Sequence, residues 1–396
     1  MVVARGLAAI AFFLPLALHA AEVMPLKFDQ SAWEFEGEDS TVEDFHGRTA
    51  LRMRTGSAVR RDVRFSQGTI EFDMQLTPYR AFAFVRFRMQ DDGEFEELYF
   101  RSHKSLLPDA IQYTPVFRGA GQWQLYHGAG ATAAAEFPPN EWVKVRIVVG
   151  DSMAAVFVGS TDEPQLVVPH LAHPSRSGYF AFGSFLPQGE PQGVYPTNFA
   201  NLVLRPSEVT YDFSSVEREP VEIAGLIKKW QISSSYAPQE GAILSLPDTI
   251  LADADWITVA AEPSGLVALS RYRAKPEGVR RATLLAKLNL EAAVAGVHRF
   301  NFGYSDEVSV FLNGSLLFSG NDSYSFNFPR RQGLISIDQG SIYLPLKAGE
   351  NELILAITDV FGGWGLMGQF EETAGWETSA AAEPARDFGN LSSDPR

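Results

Sequence analysis

The chain contains no cysteine, which removes disulfide staples and any lipid attachment through a cysteine. Basic residues are scarce. Lys and Arg number 33 against 48 Asp and Glu, for a formal charge of −15. No Lys/Arg stripe interleaved with aromatics appears, so nucleic acid and anionic membrane surfaces are excluded as partners. Long apolar runs are missing as well. Leu7 to Leu18 is too short to span a bilayer comfortably, and nothing later resembles a span, so no membrane insertion is expected. There is no Gly-x-Ser-x-Gly elbow, no phosphate-cradling glycine loop and no dinucleotide fingerprint. Serine hydrolase and nucleotide chemistry therefore have no support.

What is present is abundant glycine (33), proline (23) and phenylalanine (29), with few long helix-forming runs. That composition points to many strands and turns, and 396 residues suggest two domains with a tail. Residues 1–20 read as a secretory signal: Arg5 is the charged start, Leu7 to Leu18 the apolar core, and Ala20 or Ala21 the small residue at cleavage. Arg5 is the leader's one formal charge, so its removal takes the net charge from −15 to −16. An exported chain without disulfides must be held by its cores, and the expected location is periplasmic or secreted.

From Phe28 to Pro206 strands follow one another at short intervals. Thr69 to Leu76 places Ile70, Phe72, Met74 and Leu76 inward and Glu71, Asp73 and Gln75 outward. Ala81 to Met89 puts Arg86 and Arg88 on the face shared with Phe82 and Phe84. Trp142 to Val149 buries Val143, Val145, Ile147 and Val149 and leaves Lys144 and Arg146 outside. A polar linker without clear period covers residues 207–222. A second strand-rich block follows at 223–372, and its clearest signal is Asn313-Gly314 between two apolar runs, a hairpin turn in which both residues take positive φ. Leu284 to Val294 is the one helix candidate, although strand pattern flanks it. Residues 373–396 have little to bury and read as a disordered tail.

The stretch Glu94 to Tyr126 concentrates polar chemistry. Leu98 and Phe100 fall on one strand face; Glu97, Tyr99, Arg101 and His103 fall on the other. Burying an acid, a phenol, a guanidinium and an imidazole together is costly unless they pair or meet a ligand. Asp109, Gln112, Tyr113, Gln124 and Tyr126 are expected to extend that face, with Trp123 and Leu125 turned to the core. His103, with Arg101 and Asp109 close in sequence, could act as a base or bond a sugar hydroxyl. His170 and His173 have metal-ligand spacing, but no third ligand is identified.

GTIEFD, YFRSHKS, PDAIQYTPVF and WQLY together resemble a bacterial branch of the concanavalin A-like lectin/glucanase superfamily over residues 22–206. The second block is similar to galactose-binding-like jelly-roll modules through Trp230-Gln231-Ile232-Ser233, Gly303 to Val308, Leu312-Asn313-Gly314, Leu346 to Asn351 and Gly363-Trp364-Gly365. The resemblances imply an all-β chain of two jelly-roll β-sandwiches, concanavalin A-like then galactose-binding-like. They also imply glycan proximity and a structural calcium, for which Asp306 and Asp359 are candidate ligands; no cofactor is required. Some enzymes of the first fold carry an acid-x-Asp-x-acid triplet. Here Glu71 and Asp73 fill the first two places, and Gln75 stands in the third.

The expected function is carbohydrate binding in a polar groove of the first sandwich. One alternative is a glycoside hydrolase or keto-sugar hydrolase/lyase of the same fold, which needs two carboxyl groups in one groove with one pKa raised. The other is a protein-interaction module whose charged face pairs internally. In the second block Trp364, in its glycine-rich loop, is either a ligand platform or a lid over the core.

Overall fold

Strict alternation decides the first half of the chain. In the computed structural model Ile70, Phe72, Met74 and Leu76 are buried on one side of the strand Gly68–Leu76. Glu71, Asp73 and Gln75 point the other way, into polar contacts with Arg205, Arg48 and Asn140. The structure describes residues 23–378 apart from 30, 38, 192, 217–222, 247, 253, 325, 327–331, 373 and 375. The leader and residues 379–396 of the tail lie outside the described residues.

Two eight-stranded sheets make the first sandwich. The back sheet runs Leu166–Val168, Ala154–Val158, Trp142–Val149, Gly68–Leu76, Thr197–Pro206, Arg48–Met53, Ser40–Phe45, with Met24–Leu26 also paired to Thr197–Pro206. The front sheet runs Ala120–Gly121, Ile111–Phe117, Glu94–Phe100, Phe82–Asp91, Gly178–Phe185, Gly56–Phe65, Glu34–Glu36, with Thr132–Ala133 also paired to Ile111–Phe117. All pairs are antiparallel, and Phe72, Phe100, Phe182 and Phe199 interlock between the sheets. With 51% strand and 4% helix the chain is all-β.

The alternation breaks once in a telling way. Strict alternation puts Arg88 beside Arg86 on the face shared with Phe82 and Phe84, but it takes φ +57° at a register shift and is fully buried. Such a bulge re-aims one side chain. Its guanidinium donates to the carbonyls of Ser66, Gly150 and Asp151, which offsets part of the cost of burying the charge.

The second sandwich pairs a seven-stranded sheet with a four-stranded one. Leu284 to Val294 is not a helix: Ala282–Ala292 is a strand registered with Gly349–Asp359 over its whole length. Its inner face buries Leu284, Ala286, Leu288 and Leu290. Leu285 on the outer face is covered by Ile243, Leu246 and Trp256. Apolar residues on both faces hide the period of two, and tertiary pairing overrides the helix preference of Ala and Leu. Asn313 and Gly314 both take positive φ in the expected hairpin. Two ends also differ from expectation. Tyr211, Phe213 and Val216 of the linker pack against Phe157 and Met153, and Trp376–Thr378 pairs as a strand with Leu290 to Ala292.

The two sandwiches share packing. Leu266, Ala268 and Ile335 of the second belong to the apolar cluster that forms the core of the first. The residues between them are Gln122 to His127, which form a turn rather than the expected strand. This turn presses on Gly362, Gly363 and Gly365. A Cβ on Gly362 would stand 2.3 Å from Trp123 Nε1, and one on Gly365 would stand 2.7 Å from Leu125 Cδ2. Trp364 is accordingly a core residue, fully buried with Nε1 donating to Ile357.

Gly362 also has φ +92°. Gly362→Ala combines overpacking with a disfavoured backbone, and a loss of about 2–4 kcal/mol is expected in urea unfolding. An unchanged midpoint would mean that the turn does not dock there.

Candidate functional site

The outer face of the front sheet collects the polar residues of Glu94–Phe100. Because successive side chains alternate, Glu97, Tyr99 and Arg101 project outward beside Phe82, Phe84 and Arg86 of the neighbouring strand. Arg86 Nε donates to Glu97 Oε2 at 2.5 Å and Nη1 donates to Ser57 Oγ at 2.7 Å. Glu97 is 3% exposed. Burial pushes its carboxyl above the usual range, against the pull of Arg86. Tyr99, beside that carboxylate, is pushed well above its ordinary pKa by burial and by Glu97.

Aromatic rings surround this polar centre. Phe82 lies 6.4 Å from Tyr99, 5.2 Å from His103 and 6.0 Å from Phe185, and Phe84 lies 5.0 Å from Tyr99. Phe185 is 46% exposed and Tyr79 37%. The sequence reading missed Phe185 because it lies at the end of a distant strand; only the sheet order brings it next to Phe82. His103 sits in the short 3₁₀ turn Ser102–Lys104. Lys104 Nζ and Arg101 Nη2 approach Asp109 at 3.3 and 3.6 Å. Half-burial and then Arg101, Arg80 and Lys104 depress the His103 pKa to about 4. The imidazole is therefore neutral at physiological pH.

Glu97, Tyr99, Arg101, His103 and Asp109 thus come together on one face. Four other expected groove residues do not line it openly, and the reason is local. Tyr113 pairs with Leu98 and faces inward, donating to Glu96 Oε2 at 2.7 Å. Gln112 is 2% exposed: it accepts from Arg101 Nη2 at 2.9 Å and donates to the carbonyls of Trp123 and Tyr126. Gln124 is fully buried between the sandwiches. Its Nε2 donates to Asp306 Oδ1 and the Gln332 carbonyl, its Oε1 accepts from Ser305, and its amide reaches Gly362. Tyr126 donates to Glu262 at 2.5 Å, and Arg271 donates to the same carboxylate. The strand expected to carry Gln124 and Tyr126 outward is the interdomain turn.

The carboxylates required for hydrolysis are separated. Glu71 and Asp73 lie on the outer face of the back sheet, paired with Arg205 and Arg48. They cannot face Glu97 across one cleft. Burial raises Glu96 to about 7, as a general acid would need, but its side chain is sealed under Tyr113 and the His173 amide. His173 is itself buried, its ring against the Val116 carbonyl, while His170 is exposed. Among the described residues no group of three or more His, Asp or Glu gathers as a metal cluster.

The calcium expectation does not fit its candidate ligands. Asp306 Oδ2 accepts from the Val360 and Phe361 amides and Oδ1 from Gln124. Those N–H donors point positive charge at the carboxylate, where a cation would need oxygens. Asp359 pairs with Lys275 Nζ at 2.6 Å. A separate cavity of about 290 Å³ opens in the second sandwich between Ala242 and Ile243 and the floor of Ser309, Ser319 and Asn321. Glu307 at its edge is neutralised by Arg281.

No protein-family model matches the chain, and no curated protein matches it. Solved structures resemble about half of it. The carbohydrate binding module CBM66 from Bacillus subtilis is 14% identical, covering 44% of this chain and 95% of that one at a TM-score of 0.33. A Bacillus licheniformis beta-glucanase is 13% identical, covering 48% of this chain and 100% of that one at 0.34. The Crh5 transglycosylase in complex with NAG is 13% identical, covering 48% and 86% at 0.34. These are likenesses of fold; the strand pairing of the chain itself shows the sandwich.

Arg101→Ala tests the placement. With Arg101 7% exposed and holding Gln112, the variant should lose about 1–3 kcal/mol of stability, because a buried amide loses its donor. An unchanged unfolding midpoint would return Arg101 to the role of a free ligand contact. His103 gives a pH test. Its folded pKa lies below its unfolded value, so the folded state binds fewer protons between about 4 and 6.5. Its contribution to stability is present above about 6.5 and lost as pH falls. The melting-temperature advantage of the wild type over His103→Asn should therefore shrink from pH 7.5 to pH 5; an advantage independent of pH would contradict the depressed pKa.

Proposed function

We propose that this is an exported carbohydrate-binding protein that holds a glycan on the outer face of the front sheet. The observation that carries the reading is the partly exposed ring cluster of Phe82, Phe84, Tyr99 and Phe185 beside His103, Lys104 and Asp109. Sugars present apolar C–H faces with hydroxyl rims, and aromatic rings next to polar side chains match both. The buried Arg86–Glu97 pair stiffens the floor, so the platform is pre-organised before a ligand arrives.

Export rests on the leader at residues 1–20. No cofactor is required on this reading. Hydrolysis is the weaker reading, since Glu96 and Glu97 are buried and Glu94, the third front-sheet carboxyl that burial raises, is tied to the Arg118 amide. The specific observation favouring an interaction module is the internal pairing of Glu97 with Arg86 and of Arg101 with Asp109.

A glycan-array screen of the mature protein, with product analysis on every glycan that binds, separates the three readings. Binding without product is expected, together with at least a tenfold loss of affinity in Phe82→Ala while the protein still folds cooperatively. New reducing ends lost in Glu97→Gln would identify an enzyme. Silence across the array would favour the interaction module.

A further inference from the structure

The chain as a whole is strongly acidic, yet one end of the aromatic face is cationic. Arg80, Arg101 and Lys104 all act on His103. Asp109 meets Arg101 and Lys104 together, at 3.6 and 3.3 Å. One carboxylate shared by two cations leaves positive charge over. Arg80 adds to it, being exposed and without an ion pair among the described residues.

The imidazole between these cations leaves Nδ1 buried without a hydrogen-bond partner. Phe82 stands 5.2 Å from the same ring. Within one patch there are thus an apolar platform and an excess of positive charge.

We infer that the glycan held here is anionic, with a carboxylate or sulfate against Arg80 and Lys104 and a sugar ring on Phe82. The inference rests on the carbohydrate reading above and narrows it. Uronates and sulfated sugars share the chemistry that the patch offers, which is cations at contact range beside C–H recognition. At physiological salt, charges beyond about 8 Å are screened, so the local cations act at contact whatever the net charge of the protein.

Calorimetric titration of the mature full chain tests this with three oligosaccharides of matched length: neutral, uronate and sulfated. At least one anionic ligand should bind tenfold or more tighter than the neutral one and weaken from 50 to 300 mM NaCl. Arg80→Gln with Lys104→Gln should remove that tenfold advantage and leave the melting temperature unchanged. Whichever anionic ligand binds tighter tells carboxylate from sulfate. Neutral binding as tight as both anionic ligands, or anionic binding indifferent to salt and to the double substitution, would overturn the inference while leaving the carbohydrate reading in place. Absence of binding to any sugar on the array would remove both.

Discussion

Two buried glutamine amides hold this molecule in its shape. An amide taken out of water costs free energy unless its donors and acceptor are met. Gln112 satisfies itself on the carbonyls of Trp123 and Tyr126, which pins the turn to the front sheet. Gln124, on that turn, satisfies itself on Asp306, Gln332 and Ser305 of the second sandwich. The turn is thus bonded on one side to one sandwich and on the other side to its neighbour. Gly362, Gly363 and Gly365 make room for it. Asp306 completes the lock by capping the Val360 and Phe361 amides from the same loop.

This arrangement divides the stretch from Glu94 to Tyr126 into two jobs. Its first half builds a sheet face that meets solvent through Tyr99, His103 and Asp109. Its second half is the interdomain turn. It also fastens the turn to the Ile111–Phe117 side of the front sheet, which suits a binding platform.

The sandwich was legible in the sequence wherever one strand face is buried and the other is wet, as in Ile70 to Leu76. It was also legible where local chemistry forces the backbone, as at Asn313-Gly314. Legibility failed where both faces are covered. Leu285 sits under Ile243 and Trp256, so Ala282–Ala292 loses its alternation and resembles a helix. It failed again at Arg88, where a bulge takes the cation off the face of Arg86 and buries it. At the site, the strand period placed Glu97, Tyr99 and Arg101 correctly on one face. The polarity of Gln112, Gln124 and Tyr126 suggested ligand contact. A buried interface uses the same amides and phenols as a sugar groove, and only the three-dimensional partners tell them apart. Phe185 could not be assigned from spacing, because its neighbour Phe82 is about a hundred residues away in sequence and adjacent only through the sheet order.

Hydrogen–deuterium exchange of the mature protein with and without a bound oligosaccharide is the most direct test of where recognition occurs. Protection confined to peptides covering residues 79–86 and 99–109 is the result this account predicts. Protection at residues 241–243 and 319–321, around the cavity of the second sandwich, with none on the front sheet, would contradict it.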